Sequence, residues 1–301
     1  MPSLKRIVCL ANSWKLKERC IAGIDLDTGK WIRPVCEKYT EDGRVPREVR
    51  LVEGKEPELL DILGIPLADT GTDFGFECEN LTILSGRWQI LGKASPASLL
   101  SFLEKTPVNL NYEDYILHNS IKYVNVSYLQ SLPFPERRTL QLIHATKFCV
   151  QQKEGNKGFR EWKGTLETSD GKRLTDAKIT DPVFIKKLES GYQIKGEYLV
   201  TVSLSLPWAY NNWEGEPPCW KLIAGMIEIS ESPNEQNDLI VQTDQEIERI
   251  GWDVTQGRRY LQHKFNKQSR QQLTLWELTQ FLNYLKSLPD DSDPPSESKI
   301  Y

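Results

Sequence analysis

The sequence holds few of the residues that build metal or nucleophilic centres. It has only three histidines, and no two of them lie at the spacing of metal ligands. The six cysteines are scattered without a C-x-x-C pair, so a zinc ribbon is not expected. No P-loop, G-x-S-x-G or G-x-G-x-x-G motif is present. These absences argue against most enzyme classes, and we expect neither a resident metal nor a cofactor.

Long apolar runs are also missing. No segment approaches the roughly 18 consecutive apolar residues of a membrane helix. The apolar run near the start of the chain is too short for a signal peptide. Isolated cysteines inside apolar runs are typical of core thiols in a reducing compartment. We therefore expect a cytoplasmic protein that has no membrane partner.

The charge balance restricts the kind of partner. A formal net charge of −4 argues against a purely electrostatic nucleic-acid binder, which is usually basic. Residues 1–50 nevertheless hold eleven Lys and Arg against seven Asp and Glu, so a local basic groove is compatible with the sequence. The length of 301 residues favours two domains.

Residues 140–230 have the clearest pattern of secondary structure. A helix is predicted to begin at Asp181, with Asp as the N-cap and Pro182 in the first helical position. Five strands surround it: Leu140–Val150, Trp162–Thr168, Lys172–Ile179, Glu197–Leu204 and Cys219–Ile229. The order β-β-β-α-β-β is that of an OB-fold, a five-stranded and partly open barrel. We predict an OB-like barrel over this range.

Residues 1–105 are less regular and predict a first OB-like barrel with insertions. A helix is predicted at Glu56–Leu63, and another from Ser95 to Glu104. Five short strands are predicted at Lys5–Ala11, Cys20–Leu26, Lys30–Val35, Leu81–Ser85 and Trp88–Leu91. Residues 106–139 would then connect the two barrels.

The C-terminal region changes character. Residues 231–245 are predicted to be a linker, 246–289 a small helical module, and 290–301 a disordered acidic tail. Helices are predicted at Thr255–Phe265 and Thr274–Leu288. The basic side chains of this module could follow a phosphate backbone or form a solvated helix face; they are Arg258, Arg259, Lys264, Lys267 and Arg270.

Several short blocks together resemble the dual OB-containing domain family of prokaryotes, over roughly residues 4–230. The blocks include Leu10-Ala11-Asn12-Ser13, Trp31-Ile32-Arg33-Pro34-Val35, Thr180-Asp181-Pro182 and Lys221-Leu222-Ile223-Ala224. The resemblance implies a mainly β fold with two OB-like β-barrels in one compact unit, to which this chain adds its helical C-terminal region. It also implies a binding or sensing role in prokaryotic defence or mobile-element systems.

The candidate ligand-binding residues near the N-terminus are polar or aromatic. Trp31 and Arg33 alternate along a predicted strand and share one face, which suits base stacking beside a phosphate contact. The alternative is a core tryptophan beside an ion-paired arginine. Asn12 and Ser13 are placed in a rim loop, where they could donate to a ligand or only stabilise a turn. Arg19 could line the same region.

Four further candidates belong to the second predicted barrel. Trp208, Tyr210 and Trp213 lie so close on a predicted loop that they cannot easily all enter the core. Such a patch is typical of a contact site, and the alternative is that the rings serve packing. Lys221 belongs to the last of the family-like blocks and is included as a ligand-binding residue.

Three functions are compatible with these residues. We favour a non-catalytic protein that binds nucleic acid or a nucleotide through the barrels. One alternative is an adaptor that docks a protein partner through the C-terminal helices. Another is a metal-dependent nuclease at the E-x-K motif of Glu161 and Lys163, which would also need acidic partners on a neighbouring strand.

Overall fold

The computed structural model describes residues 3–96, 99, 116–155, 160–229, 233–273 and 275–290. The chain forms two compact units. The first comprises residues 1–96 and 106–228 and holds two β-sheets; the second comprises 97–105 and 229–301 and is helical. The predicted helix at 95–104 falls largely outside the described residues, and the predicted acidic tail does so beyond residue 290.

The first sheet has six strands in the order β5-β3-β2-β1-β4-β6. The strands are β1 (Ser3–Lys15), β2 (Glu18–Asp25), β3 (Trp31–Val35), β4 (Asp61–Leu67), β5 (Asn80–Thr82) and β6 (Gln89–Lys93). All neighbours are antiparallel except β3 and β5, which are parallel. A short helix, α1 (Arg47–Arg50), lies between β3 and β4. An isolated bridge between Leu67 and Ile83 links the end of β4 to the residue after β5.

The second sheet follows the order β8-β12-β13-β11-β10-β9, with β7 paired to β13. Its strands are β7 (Tyr123–Asn125), β8 (Leu140–Ala145), β9 (Lys147–Glu154), β10 (Arg160–Glu167), β11 (Arg173–Ile179), β12 (Glu197–Leu204) and β13 (Pro218–Ile229). Helix α2 (Val126–Ser131) follows β7, and helix α3 (Pro182–Glu189) lies between β11 and β12. The Asp181 carboxylate accepts the backbone N–H groups of Val183 and Phe184, as the predicted N-cap requires.

Side-chain alternation explains where the cores lie. In the first sheet Ile7, Cys9 and Ile65 point inward and are fully buried. In the second sheet Leu166 and Val200 do the same. The mainly β class with two sheets and a few helices is thus confirmed.

Closure into barrels is not confirmed. The predicted strand Leu140–Val150 is two strands, β8 and β9, which separate at Thr146. They occupy opposite ends of the sheet, where β8 pairs with β12 and β9 pairs with β10. Among the described residues no backbone hydrogen-bond ladder joins β8 to β9. These two edge strands are therefore not paired with each other, and the sheet is not closed.

The structure also contradicts a predicted helix and a predicted linker. The helix predicted at Glu56–Leu63 is absent, because β4 begins at Asp61 and pairs with β1 far away in the sequence. The linker predicted at 231–245 is mostly helical, since α4 spans Pro233–Arg249. The predicted connector 106–139 also contributes β7 to the second sheet.

The two sheets of the first unit meet through main-chain atoms of β1. The Leu10 carbonyl accepts a hydrogen bond from the Thr201 hydroxyl at 2.6 Å. The Trp14 N–H donates to the Thr180 carbonyl at 2.9 Å. A Cβ atom at Gly225 would lie only 2.1 Å from the Leu10 carbonyl oxygen. This approach is closer than any side chain permits, so position 225 has to be glycine.

The helical unit contains α4, α5 (Val254–Phe265) and α6 (Leu275–Ser287), as predicted for the last two. Asp253 and Gln256 form a capping box at the start of α5. Tyr260 stacks on Tyr284 with centroids 4.3 Å apart. Leu278, Phe281, Leu282 and Leu285 are buried, as their helical spacing predicts. No helix in the described part of the chain is long and apolar enough to cross a membrane.

Replacing Gly225 by Ala should destabilise the first unit, because the added methyl group forces β13 away from β1. We expect a loss of about 1–3 kcal/mol or more in the free energy of unfolding, measured by denaturant titration. Gly92→Ala is the matched control. A Cβ there meets only Ile62 at 3.7 Å, an ordinary contact, and should change stability by less than about 0.5 kcal/mol. Equal effects in the two variants would contradict this account of the sheet contact.

Candidate functional site

Five aromatic rings form a cluster at the surface of the second sheet. The rings of this aromatic cluster belong to Tyr123, Trp208, Tyr210, Trp213 and Trp220. Trp220 lies at its centre, with ring centroids 5.4 Å from Trp213, 5.5 Å from Tyr210 and 5.7 Å from Trp208. Tyr123 contacts both Trp213 and Trp220 edge-on. The three aromatics predicted from the sequence are therefore brought together, around a fourth and a fifth that were not predicted.

Hydrogen bonds hold the loop that carries most of these rings. The loop spans 205–217 between β12 and β13. The Trp220 indole donates to the Trp208 carbonyl at 2.9 Å, and the Trp213 indole donates to the Glu216 carbonyl at 3.0 Å. Trp208 is 41% and Tyr210 43% exposed, so their ring surfaces are open to solvent. The cluster combines a fixed arrangement with accessible aromatic area.

Four lysines lie beside the cluster on the outer surface of the same sheet. We call Lys122, Lys153, Lys163 and Lys178 the lysine face. Lys163 on β10 stands directly opposite Lys178 on β11, and Lys153 on β9 stands opposite Glu161. Like charges in directly opposed positions destabilise a sheet unless an anion lies between them.

Two carboxylates partly neutralise the lysine face. Glu161 lies 2.9 Å from the Lys163 ammonium and also binds Lys178. Asp176 lies 2.6 Å from the Lys153 ammonium and 3.1 Å from that of Lys122. Partial burial acts to raise the pKa of Glu161, but the two lysines hold it below its ordinary value. Four ammonium groups against two carboxylates leave the face positive at neutral pH.

The register of the sheet joins the lysine face to the aromatic cluster. Leu222 pairs with Lys178 in the parallel ladder of β13 and β11, and Trp220 lies two residues before it on the same surface. A second link is electrostatic. Burial raises the pKa of Tyr210 in the cluster, and the nearby charge of Glu161 on the lysine face raises it further. The cluster and the lysines therefore form one continuous surface.

Trp31 and Arg33 do not form a ligand face, and that prediction is wrong. Trp31 is 6% and Arg33 2% exposed. The Arg33 guanidinium is 2.8 Å from the equally buried Glu77 carboxylate and donates to the Thr139 hydroxyl at 2.9 Å. Glu79 also accepts from Thr139. The alternative of a core tryptophan and an ion-paired arginine is what the structure contains.

The remaining N-terminal candidates lie in or beside strands rather than in a rim loop. Asn12 and Ser13 are buried within β1, and the Asn12 amide donates to the Pro57 carbonyl at 2.7 Å. Arg19 lies on β2 opposite Trp14, with its guanidinium carbon 4.0 Å from the centroid of that ring. Placing Asn12 and Ser13 in a loop was wrong, because β1 continues through Lys15.

Lys221 is buried rather than available to a ligand, which corrects the sequence prediction. It is 2% exposed, and its ammonium donates to the carbonyls of Ile116 and Asn119 and to the Asn119 side chain, at 2.7–2.8 Å. No carboxylate forms an ion pair with it among the described residues. Burial therefore lowers the pKa of Lys221 to about 7.

The predicted basic residues of the C-terminal module belong to the helical unit and divide into two groups. Arg258, Arg259 and Lys264 are exposed on α5, and Lys267 is half-buried just after it. Arg270 instead forms an ion pair with Asp244 at 2.6 Å and donates to the Thr243 hydroxyl, so it stabilises the unit.

The E-x-K motif is part of the lysine face. Its glutamate is held by two lysines, and the nearest acid on the adjacent strand, Asp176, is itself held by Lys153 and Lys122. Within the described residues no group of three or more His, Cys, Asp or Glu side chains is arranged to hold a metal ion. Nothing in this geometry adds support to a nuclease centre.

Sequence reasoning missed Trp220, Tyr123 and most of the lysine face. Trp220 lies in the apolar strand β13. The strand was predicted, but the partial exposure of Trp220 on its outer surface was not. Alternation supplies the signal, because Cys219 and Ile223 are fully buried while Trp220 and Leu222 point the other way.

Comparison with known proteins gives a family match and a partial match to one uncharacterized protein. The family model described as dual OB-containing domain matches residues 5–226. The chain is similar to the uncharacterized protein slr1353 of Synechocystis sp., with 34% identity over 85 residues, which is 28% of this chain and 29% of that protein. The match thus spans less than a third of that relative. No solved structure matches the chain.

The buried ammonium of Lys221 should make stability depend on pH. The folded pKa is about 7 and the unfolded value about 10.4, so between them the unfolded chain binds a proton that the folded chain has released. Unfolding free energy should rise with pH in this window, by at most about 1.4 kcal/mol per pH unit, relative to Lys221→Met. Denaturant titrations of both proteins between pH 6 and pH 10 measure the difference. A difference that stays flat or falls would contradict the buried-ammonium account.

Proposed function

Because this chain belongs to the dual OB-containing domain family, we propose that its second sheet binds single-stranded nucleic acid through the aromatic cluster and the lysine face. OB-folds bind oligonucleotides on the surface of their second and third strands, between the loop that joins the first two strands and the loop that joins the last two. The observation that carries the proposal is that the cluster and the lysines occupy that position.

The strand order supports this placement. β10 and β11 follow the broken first strand and precede α3, so they take the second and third positions of the OB order. Lys163 and Lys178 lie on these two strands. The loop 205–217, which carries Trp208, Tyr210 and Trp213, joins the strands in the fourth and fifth positions. Aromatic and basic groups thus meet at the usual binding surface of this fold.

The exposed rings favour unpaired bases as the ligand. Stacking of a base on an aromatic side chain contributes about 1–3 kcal/mol per base and is tolerant of sequence, because every base has a π face. A duplex hides those faces inside its own stack. Trp208 and Tyr210, each about two-fifths exposed, would therefore act on a single strand rather than on a double helix.

The lysine face would supply the contacts to phosphate. Each of its ammonium groups already binds a carboxylate, and a phosphate can take the place of that carboxylate or share the ammonium with it. This local excess of positive charge reconciles nucleic-acid binding with the net charge of −4 for the whole chain. We propose binding without catalysis, because lysines hold both acids of the face.

Removing the two most exposed rings of the aromatic cluster should weaken binding of a single-stranded oligonucleotide. For Trp208→Ala combined with Tyr210→Ala we expect about a 10- to 100-fold higher dissociation constant, from the loss of one or two stacked bases. Fluorescence polarisation with labelled single- and double-stranded DNA and RNA measures this. The control is Trp14→Ala combined with Phe134→Ala, which removes two rings outside the cluster that are slightly more exposed. Absence of binding to every single strand, or equal losses in both double variants, would reject the proposal.

Neutralising two lysines should lower the salt dependence of the same binding. On a single strand, the slope of log affinity against log salt changes by about 0.7 for each phosphate that the protein no longer neutralises. Lys163→Gln combined with Lys178→Gln should therefore flatten the slope by about 1–1.5. Lys38→Gln combined with Lys93→Gln is matched in charge. It removes two exposed, ion-paired lysines, one in the turn after β3 and one at the end of β6, so its slope should stay at the wild-type value. If the two pairs flatten the slope equally, the charge effect is not local to this face.

A further inference from the structure

The helical unit carries a polar groove of about 570 Å³ beside α5. Thr255, Arg258, Arg259 and Gln262 line one wall. Because these residues are spaced three, four and seven positions apart, they share one face of the helix. The opposite wall is formed by Gln268, Ser269 and Gln272, from the segment that follows the helix. One short stretch of chain thus folds back to build both walls of the groove.

The groove has an unusual charge for this protein. Every lining side chain is basic or neutral, and none is a carboxylate. Residues 254–276 hold five Lys and Arg and no Asp or Glu, although acidic residues outnumber basic ones in the whole chain. A cavity with this composition attracts anions.

Two arginines in the groove keep their donors available. Among the described residues neither Arg258 nor Arg259 takes part in an ion pair, and both are exposed. Their neighbours differ in this respect, because Arg270 binds Asp244 and Arg249 binds Glu246 at 2.7 Å. The helical unit therefore satisfies its other arginines with carboxylates and leaves this pair facing the groove.

Neutral donors complete the lining. Ser269 begins a 3-10 turn at Arg270–Gln272 without using its side chain as a cap. The Gln272 side-chain oxygen accepts the Gln268 N–H at 2.8 Å, which leaves the Gln272 amide NH₂ as a donor. Hydroxyl and amide donors thus stand in the same groove as the two guanidinium groups.

We propose that this groove is a binding site for phosphate groups. Two guanidinium forks with further hydroxyl and amide donors suit an anion with three or more oxygens in a tetrahedral arrangement. A carboxylate, with two oxygens in one plane, would leave part of this set unused. The lining lacks aromatic side chains on which a base could stack, so the site recognises phosphate rather than a nucleobase. It is separate from the aromatic cluster and does not depend on the function proposed for the second sheet.

Titration calorimetry of the full chain with inorganic pyrophosphate tests the site. Arg258→Gln combined with Arg259→Gln should weaken pyrophosphate binding at least about tenfold, since it removes both charged forks while keeping good helix formers. The control is Lys264→Gln combined with Lys267→Gln, which removes the same charge from the same stretch without touching the lining. We expect the control to bind within about twofold of the wild type.

A second arm identifies where the phosphate comes from. The same variants are titrated with a single-stranded oligonucleotide of about 20 nucleotides. A loss of pyrophosphate binding specific to the arginine pair points to a free phosphorylated small molecule. A specific loss confined to the oligonucleotide points to the phosphates of a nucleic acid.

Two outcomes would overturn the phosphate site. One is that neither probe responds to the arginine pair. The other is that the lysine pair weakens binding as much as the arginine pair, which would show diffuse attraction without a site. Trp208→Ala combined with Tyr210→Ala should leave pyrophosphate binding unchanged, so this proposal and the one for the second sheet fail independently.

Discussion

The buried ion pair between Arg33 and Glu77 is the interaction on which the first unit depends. Burial acts to lower the pKa of Arg33, but Glu77 and Glu79 hold it above its ordinary value, so the guanidinium stays charged inside the protein. The same group donates to Thr139, the residue just before β8. It thereby ties β3 of the first sheet to the entry of the second. Removing one partner of such a pair typically costs about 3–5 kcal/mol, because the other charge is left buried and alone.

Because these charged residues are buried, they are not available to bind a ligand at the surface. The block around Trp31 and Arg33, one of those that resemble the family, is buried in the interior. On the outer surface of the second sheet, by contrast, the lysines pair with two surface carboxylates, and the rings contact one another and nearby backbone carbonyls. A region that is ordered, polar and not needed for packing is well suited to binding. Some charged side chains are buried in the core and others lie at the surface. The protein therefore has a local basic surface although its net charge is negative.

Local signals in the sequence predicted what is locally determined. The start of α3 at Asp181 and Pro182, and the buried stripe of α6, depend on neighbours within one or two helical turns. The start of β4 was mistaken for the end of a helix because its stabilising partner is β1, from 54 (Val8 with Ile62) to 64 (Ser3 with Leu67) residues earlier. Pairing across such a distance leaves little trace in the residues of the strand itself. The helix α4 was missed for a related reason. Its composition is polar, like that of a linker, and it is stabilised by packing of its apolar face rather than by local propensity.

The candidate site was only partly predictable on the same grounds. Trp208, Tyr210 and Trp213 were recognisable because a loop cannot bury three large rings together. Trp31 and Lys221 were misjudged, since tryptophan and lysine each serve buried and exposed positions, and only tertiary packing decides between them.

The approach of Gly225 to the Leu10 carbonyl has a consequence for how such chains change over evolution. The contact is made by backbone atoms, and backbone atoms are the same whatever side chains surround them. At this contact, neighbouring side chains can therefore be substituted without changing the approach of the two backbones, provided that position 225 stays free of a side chain. The geometry of this contact is thus independent of the chemistry of the surfaces that the two sheets present to solvent.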